Sequence, residues 1–206
     1  WIGWANELPA AFAGDAYEEV DLGGARVIPG FVDAHSHIGL DGYGEPGVDI
    51  NERNDICCPQ LRAIDGVNPM DESFVYARSA GITCVCTGPG SANVLGGTFT
   101  AIKTAGTRID DMIVKKEAAM KCAFGENPKR CYASKCDSSR MTTAAILREA
   151  LMKARLYLQK KEAAGDDVFR QPAFDMKLEA LIPVLRGQIP LKAHAHRADD
   201  IFTAIR

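Results

Sequence analysis

Short runs of apolar and β-branched residues alternate along this chain with segments of helical periodicity, and that order constrains the fold more than anything else in it. Strands separated by helices predict an α/β architecture, a parallel sheet covered by helices. The pattern places strands over residues 31–35, 82–86, 96–104, 119–124 and 189–196. A helix is expected to open at Asn68-Pro69, with a cap residue followed by proline in the first turn, and to close at Gly81. Over 139–164, Ile146, Leu147, Ala150, Leu151, Ala154 and Leu158 recur at helical spacing opposite charged residues, which predicts a long amphipathic helix. Further helices are expected at 175–187, ended by Gly187, and from Ala198 onward.

Composition narrows the class without naming a chemistry. With 206 residues, 47% hydrophobic and 25% charged, the chain can bury a sizeable core. A net charge of −3 and the absence of any Lys/Arg cluster give no electrostatic footprint for nucleic acid. No apolar run reaches the roughly 18 residues of a membrane span, and no basic segment followed by an apolar one opens the chain, so a cytoplasmic location is expected. Seven cysteines without a C-x-x-C pair argue against a disulfide framework or a zinc knuckle and for a reducing compartment; Cys84 and Cys86 share one strand face and read best as small buried hydrophobes.

The segment 27–37, VIPGFVDAHSH, carries a chemistry on its face. Strand side chains alternate, so His35 and His37 point the same way and bring two neutral imidazoles toward one place, half of a site for zinc or a similar divalent ion. Near the other end, LKAHAHR puts Lys192, His194 and His196 on one strand face. The glycine-rich GPGSANVLGG of 88–97 fits neither G-x-G-x-x-G nor a P-loop and reads as a sharp strand-exit loop. The acidic loop 39–66 is long enough to be a substrate-side lid, or simply a solvated loop.

PGFVDAHSH resembles the first-strand signature of the metal-dependent amidohydrolase superfamily, LKAHAHR its fifth-strand histidine segment, and GITCVCTGPGSANVLGG and MKCAFGENP the second-strand and mid-barrel segments of the imidazolonepropionase-like branch. The resemblance implies a partial (β/α)8 TIM barrel, about its first five strands, over 27–206, preceded over 1–26 by a remnant of a small β-sandwich. A barrel alone takes about 250 residues, and in the family a further histidine on the sixth strand and an aspartate on the eighth complete the site. The expectation is therefore an internal fragment of a larger hydrolase, inactive by itself, whose partner is the C-terminal half of the barrel or a second copy of the chain.

What the resemblance implies for the site is one or two divalent metal ions, zinc among them, held by His35, His37 and His194, with His196 one step nearer the mouth, where it could contact substrate. Two residues compete for the remaining place: Lys121, in many relatives a carboxylated lysine that bridges two metals, and Glu126, in the manner of the deacetylase branch. The implied reaction is hydrolysis of an amide or cyclic amide C–N bond in a small molecule by metal-activated water. A non-catalytic, barrel-derived scaffold or a small-molecule binding module is the alternative.

Overall fold

The computed structural model describes residues 18–42, 48–135 and 138–206. Five strands, β1 (Phe31–Ser36), β2 (Ile82–Thr87), β3 (Leu95–Lys103), β4 (Ile113–Ala123) and β5 (Leu191–His194), form one sheet in sequence order. Around it lie α1 (Glu72–Ser79), α2 (Ile109–Met112), α3 (Glu126–Cys131), α4 (Arg140–Ala164), α5 (Met176–Leu185) and α6 (Ala198–Ile205). The sheet is curled, because Lys192 on the last strand hydrogen-bonds the Ala34 carbonyl on the first. This is a mixed α/β half-barrel, consistent with part of an amidohydrolase barrel. The sandwich segment expected over 1–26 falls largely outside the described residues, and those of it that are described, 18–26, contain no strand.

The sheet is not uniformly parallel, which corrects the expectation from strand order. β1 runs parallel to β2 and β4 parallel to β5, but β3 is antiparallel to both its neighbours. Connection length explains it. A parallel crossover needs a dozen or more residues, whereas only residues 88–94 join β2 to β3 and only 104–112 join β3 to β4. The longer links, from β1 to β2 through α1 and from β4 to β5 through α3, α4 and α5, have room to return parallel.

Helix α1 starts later than expected. Asn68 accepts from the Met70 N–H and closes a turn, and Asp71 is the cap: its carboxylate accepts from the backbone N–H of Ser73 at 2.8 Å and of Gly39 at 3.0 Å. Ser139 caps α4 in a reciprocal arrangement with Thr142, as helix-start chemistry predicts. Leu147 and Ala154 of α4 pack with Leu181 of α5 against Leu95, Met120 and Cys122 of the sheet. A second cluster, Phe74, Val85, Ile102 and Met112, closes the sheet's other half.

Period-two alternation on β4 then decides where chemistry can sit. Met120 and Cys122 go to the helix layer, and Lys121 goes to the inner face of the curl. Much of the acidic loop 39–66 is fastened to β3 by bridges Cys57↔Leu95 and Arg62↔Thr98, and Tyr132 and Asn93 bind its Asp55 carbonyl. With Pro89 and Gly96 it lines an open pocket of about 290 Å³. All six cysteines among the described residues are free thiols.

Candidate active site on the inner face of the sheet

Phe99 forms the floor of the site. It is fully buried on β3, and the rings of His35 and His37 lie with centroids 5.4 and 6.1 Å from its own. The two imidazoles meet edge to face, centroids 5.1 Å apart, so the alternation argument holds for them. Backbone can pass over the ring only at a glycine: a Cβ on Gly88 would stand 2.4 Å from the Phe99 Cγ. That close pass matters because the Gly88 carbonyl accepts the hydrogen bond from His37 Nδ1 at 2.7 Å. With the proton held on Nδ1, the His37 Nε2 keeps a free lone pair, the arrangement in which histidines bind metals.

Charge on this face is lopsided. Lys121 is 1% exposed, and its ammonium sits 5.6 Å from the Phe99 ring centroid; that of Lys192 sits 4.4 Å from the same centroid and 3.7 Å from the Cys86 sulfur. Burial, reinforced by Lys192 and opposed by Cys122, pulls Lys121 down to about 8. Burial, then Lys121, Lys192 and His37, pull His35 down to about 4 against the opposing pull of Asp33, so that imidazole is neutral at ordinary pH. His194 is lowered by burial first and by Lys121, His196 and His37, with Glu126 opposing, and its buried Nε2 has no hydrogen-bond partner.

The expected site residues are thus distributed unevenly. His35, His37 and Lys121 gather over Phe99, His194 follows two residues beyond Lys192 on the same strand, and His196 is exposed beside it, ring centroids 4.6 Å apart. Glu126 begins α3 and binds Arg140 at 2.8 Å; its own backbone N–H, then Arg140, His196 and Arg197, hold its carboxyl below the usual range against a small opposing effect of burial. Arg140 is itself anchored at 2.9 Å by Asp200, which is nearly buried on α6. Among the described residues no three His, Cys, Asp or Glu side chains are gathered closely enough to hold a metal ion.

Sequence reasoning missed Phe99, the Gly88 carbonyl and Arg140. Strand parity could have pointed to Phe99, an odd-numbered neighbour of Gly97 on a strand facing Lys121. Nothing local signals Arg140, which meets its partners only through the packing of α3, α4 and α6.

A curled α/β sheet with histidines at the exits of its first and last strands, and lysines beside them, is the inner face of a partial barrel. No family model matches the chain. It is 31% identical over 221 aligned residues to the amidohydrolase tasK of Hapsidospora irregularis, an alignment covering 95% of this chain and 22% of that protein. A stretch of 38 residues is 53% identical to the imidazolonepropionase of Paraburkholderia phymatum, covering 18% of this chain and 9% of that protein. The crystal structure of an amidohydrolase from Thermotoga maritima superposes with a TM-score of 0.82 at 42% identity, over 93% of this chain and 53% of that one. The chain is thus similar to amidohydrolases over nearly all of its length, and over a short stretch to an imidazolonepropionase. It spans about half the length of the solved relative and about a fifth of tasK.

Proposed function

We propose that the protein containing this chain is a metal-dependent hydrolase of amide or cyclic amide C–N bonds, acting on a small molecule. The observation that carries the reading is the state of the three imidazoles: His37 is fixed by Gly88 with Nε2 free, His35 is held neutral beside it, and the buried Nε2 of His194 lacks any partner. A buried imidazole nitrogen with no hydrogen bond is costly unless something binds it. Neutral nitrogen donors suit zinc and related divalent ions, so the donor chemistry fits although the three side chains are not gathered into one cluster.

His35, His37 and His194 would hold the ion, with Glu126 or a carboxylated Lys121 as the further ligand. Bound there, a divalent ion supplies activated water and polarises the scissile carbonyl. The chain's own residues do the rest. Gly88 fixes the His37 tautomer, Phe99 and the packed sheet exclude water from beneath the site, and His196 stands at the exposed rim where it can contact substrate.

Elemental analysis of the purified full protein tests this, alongside hydrolysis of a panel of amides and cyclic imides. The expected result is about one or two equivalents of a divalent metal, falling by well over 10-fold in His37→Ala and in His194→Ala, with hydrolysis lost in parallel. A folded protein that takes up no divalent metal on reconstitution would overturn the proposal and favour a scaffold or binding role.

A further inference from the structure

We infer that Lys121 and Lys192 form a subsite for a small carboxylate anion over the same Phe99 ring as His35 and His37. The inference rests on the hydrolase reading above only in taking the inner face as the substrate side. Lys121 and Lys192 are register partners on β4 and β5, and both ammonium groups lie over the Phe99 ring. Among the described residues neither makes an ion pair, and Lys121 makes no hydrogen bond.

The groups facing this spot from each strand are His35, His37 and Asp33 of the β1 segment, Cys86 of β2, Phe99 of β3, Lys121 of β4 and Lys192 and His194 of β5. Among the described residues Asp33 is the acid that acts on His35, with one carboxylate oxygen accepting from the His35 backbone N–H at 3.0 Å, and Glu126 acts on His194 from the start of α3, where it is paired with Arg140. An unpaired ammonium buried this deeply is costly, and an aromatic face recovers only part of that cost. Lys192 is half-buried and donates to the Ala34 carbonyl, but its ammonium lies over the same ring; the two like charges repel each other, so the arrangement is stabilised by an anion that meets both. Two ammonium groups match the two oxygens of a carboxylate. A phosphate is favoured where backbone N–H groups converge, and here those of the strands are committed to the sheet. The substrate of the proposed hydrolase therefore carries a carboxylate close to its reacting carbonyl.

Calorimetric titration of the full protein with butyrate and with 1-butanol, neither of which can be hydrolysed, reads the subsite directly. Butyrate should bind at least about 10-fold more tightly than the alcohol. Lys192→Met should abolish that preference while Lys192→Arg keeps it; if Lys192→Met fails to fold by circular dichroism, Lys121→Met is read in the same way. Equal binding of the two probes, binding of neither, or a folded methionine variant that retains the preference would overturn the inference. So would a carbamate carbon signal from labelled bicarbonate that disappears in Lys121→Met, because the carbamate consumes the ammonium. Metal content is measured in the same samples: carboxylate preference without metal leaves the subsite standing and removes the hydrolase reading, and metal without the preference does the reverse.

Discussion

Replacing Gly88 by alanine adds one methyl group where the structure has no room for it. The new Cβ would lie 2.4, 2.5 and 2.7 Å from the Cγ, Cδ2 and Cδ1 of Phe99, about 1 Å inside ordinary carbon contact. Phe99 has nowhere to retreat, being fully buried with two histidines and two ammonium groups around its ring. Overpacking of this kind costs about 1–3 kcal/mol. The backbone shift that relieves it also lengthens the 2.7 Å bond from His37 Nδ1 to the Gly88 carbonyl, worth about 1 kcal/mol more. Gly88→Ala should therefore lose about 2–4 kcal/mol in urea denaturation of the full protein. Trimming the ring should rescue it: Gly88→Ala with Phe99→Leu is expected to be more stable than the sum of the single changes by about 1–2 kcal/mol. A Gly88→Ala protein within about 0.5 kcal/mol of wild type, or additive single changes, would refute the close-approach argument.

Two further outcomes can be checked on the same preparation. Asp71→Ala removes a nearly buried carboxylate that accepts from both Ser73 and Gly39, and should cost about 2–3 kcal/mol, while Asn68→Ala, at the expected but incorrect cap, should cost under about 1 kcal/mol; urea midpoints compare them. In chelator-treated protein, His35 is held at about 4 when folded against about 6.5 when unfolded, so the unfolded chain takes up the proton first on acidification. The contribution of His35 is fully present above pH 6.5 and lost as pH falls to about 4; the difference in Tm between pH 7 and pH 4.5 should shrink in His35→Asn, and an unchanged difference would exclude His35 as its source.

Much of this protein was legible along the chain because the signals are local. The alternation of β-branched runs with helical periodicity, the pairing of His35 with His37 on one strand face, the Ser139 cap and the amphipathic stripe through Leu147 and Ala154 depend on spacing of a few residues, which backbone geometry converts directly into direction. The reversed strand β3 was not legible, because the structure starts β4 at Ile113, well before the expected residue 119, and only that early start leaves too few residues for a crossover after β3. Tertiary structure alone decided the rest. It placed Phe99 beneath residues from three other strands, set the Gly88 carbonyl under His37 across 51 residues of sequence, tied Glu126 to Arg140 and Arg140 to Asp200, and curled the sheet until Lys192 met Ala34. Those contacts join positions far apart in the chain, and they follow from how curvature and packing bring strands and helices together, which no local spacing encodes.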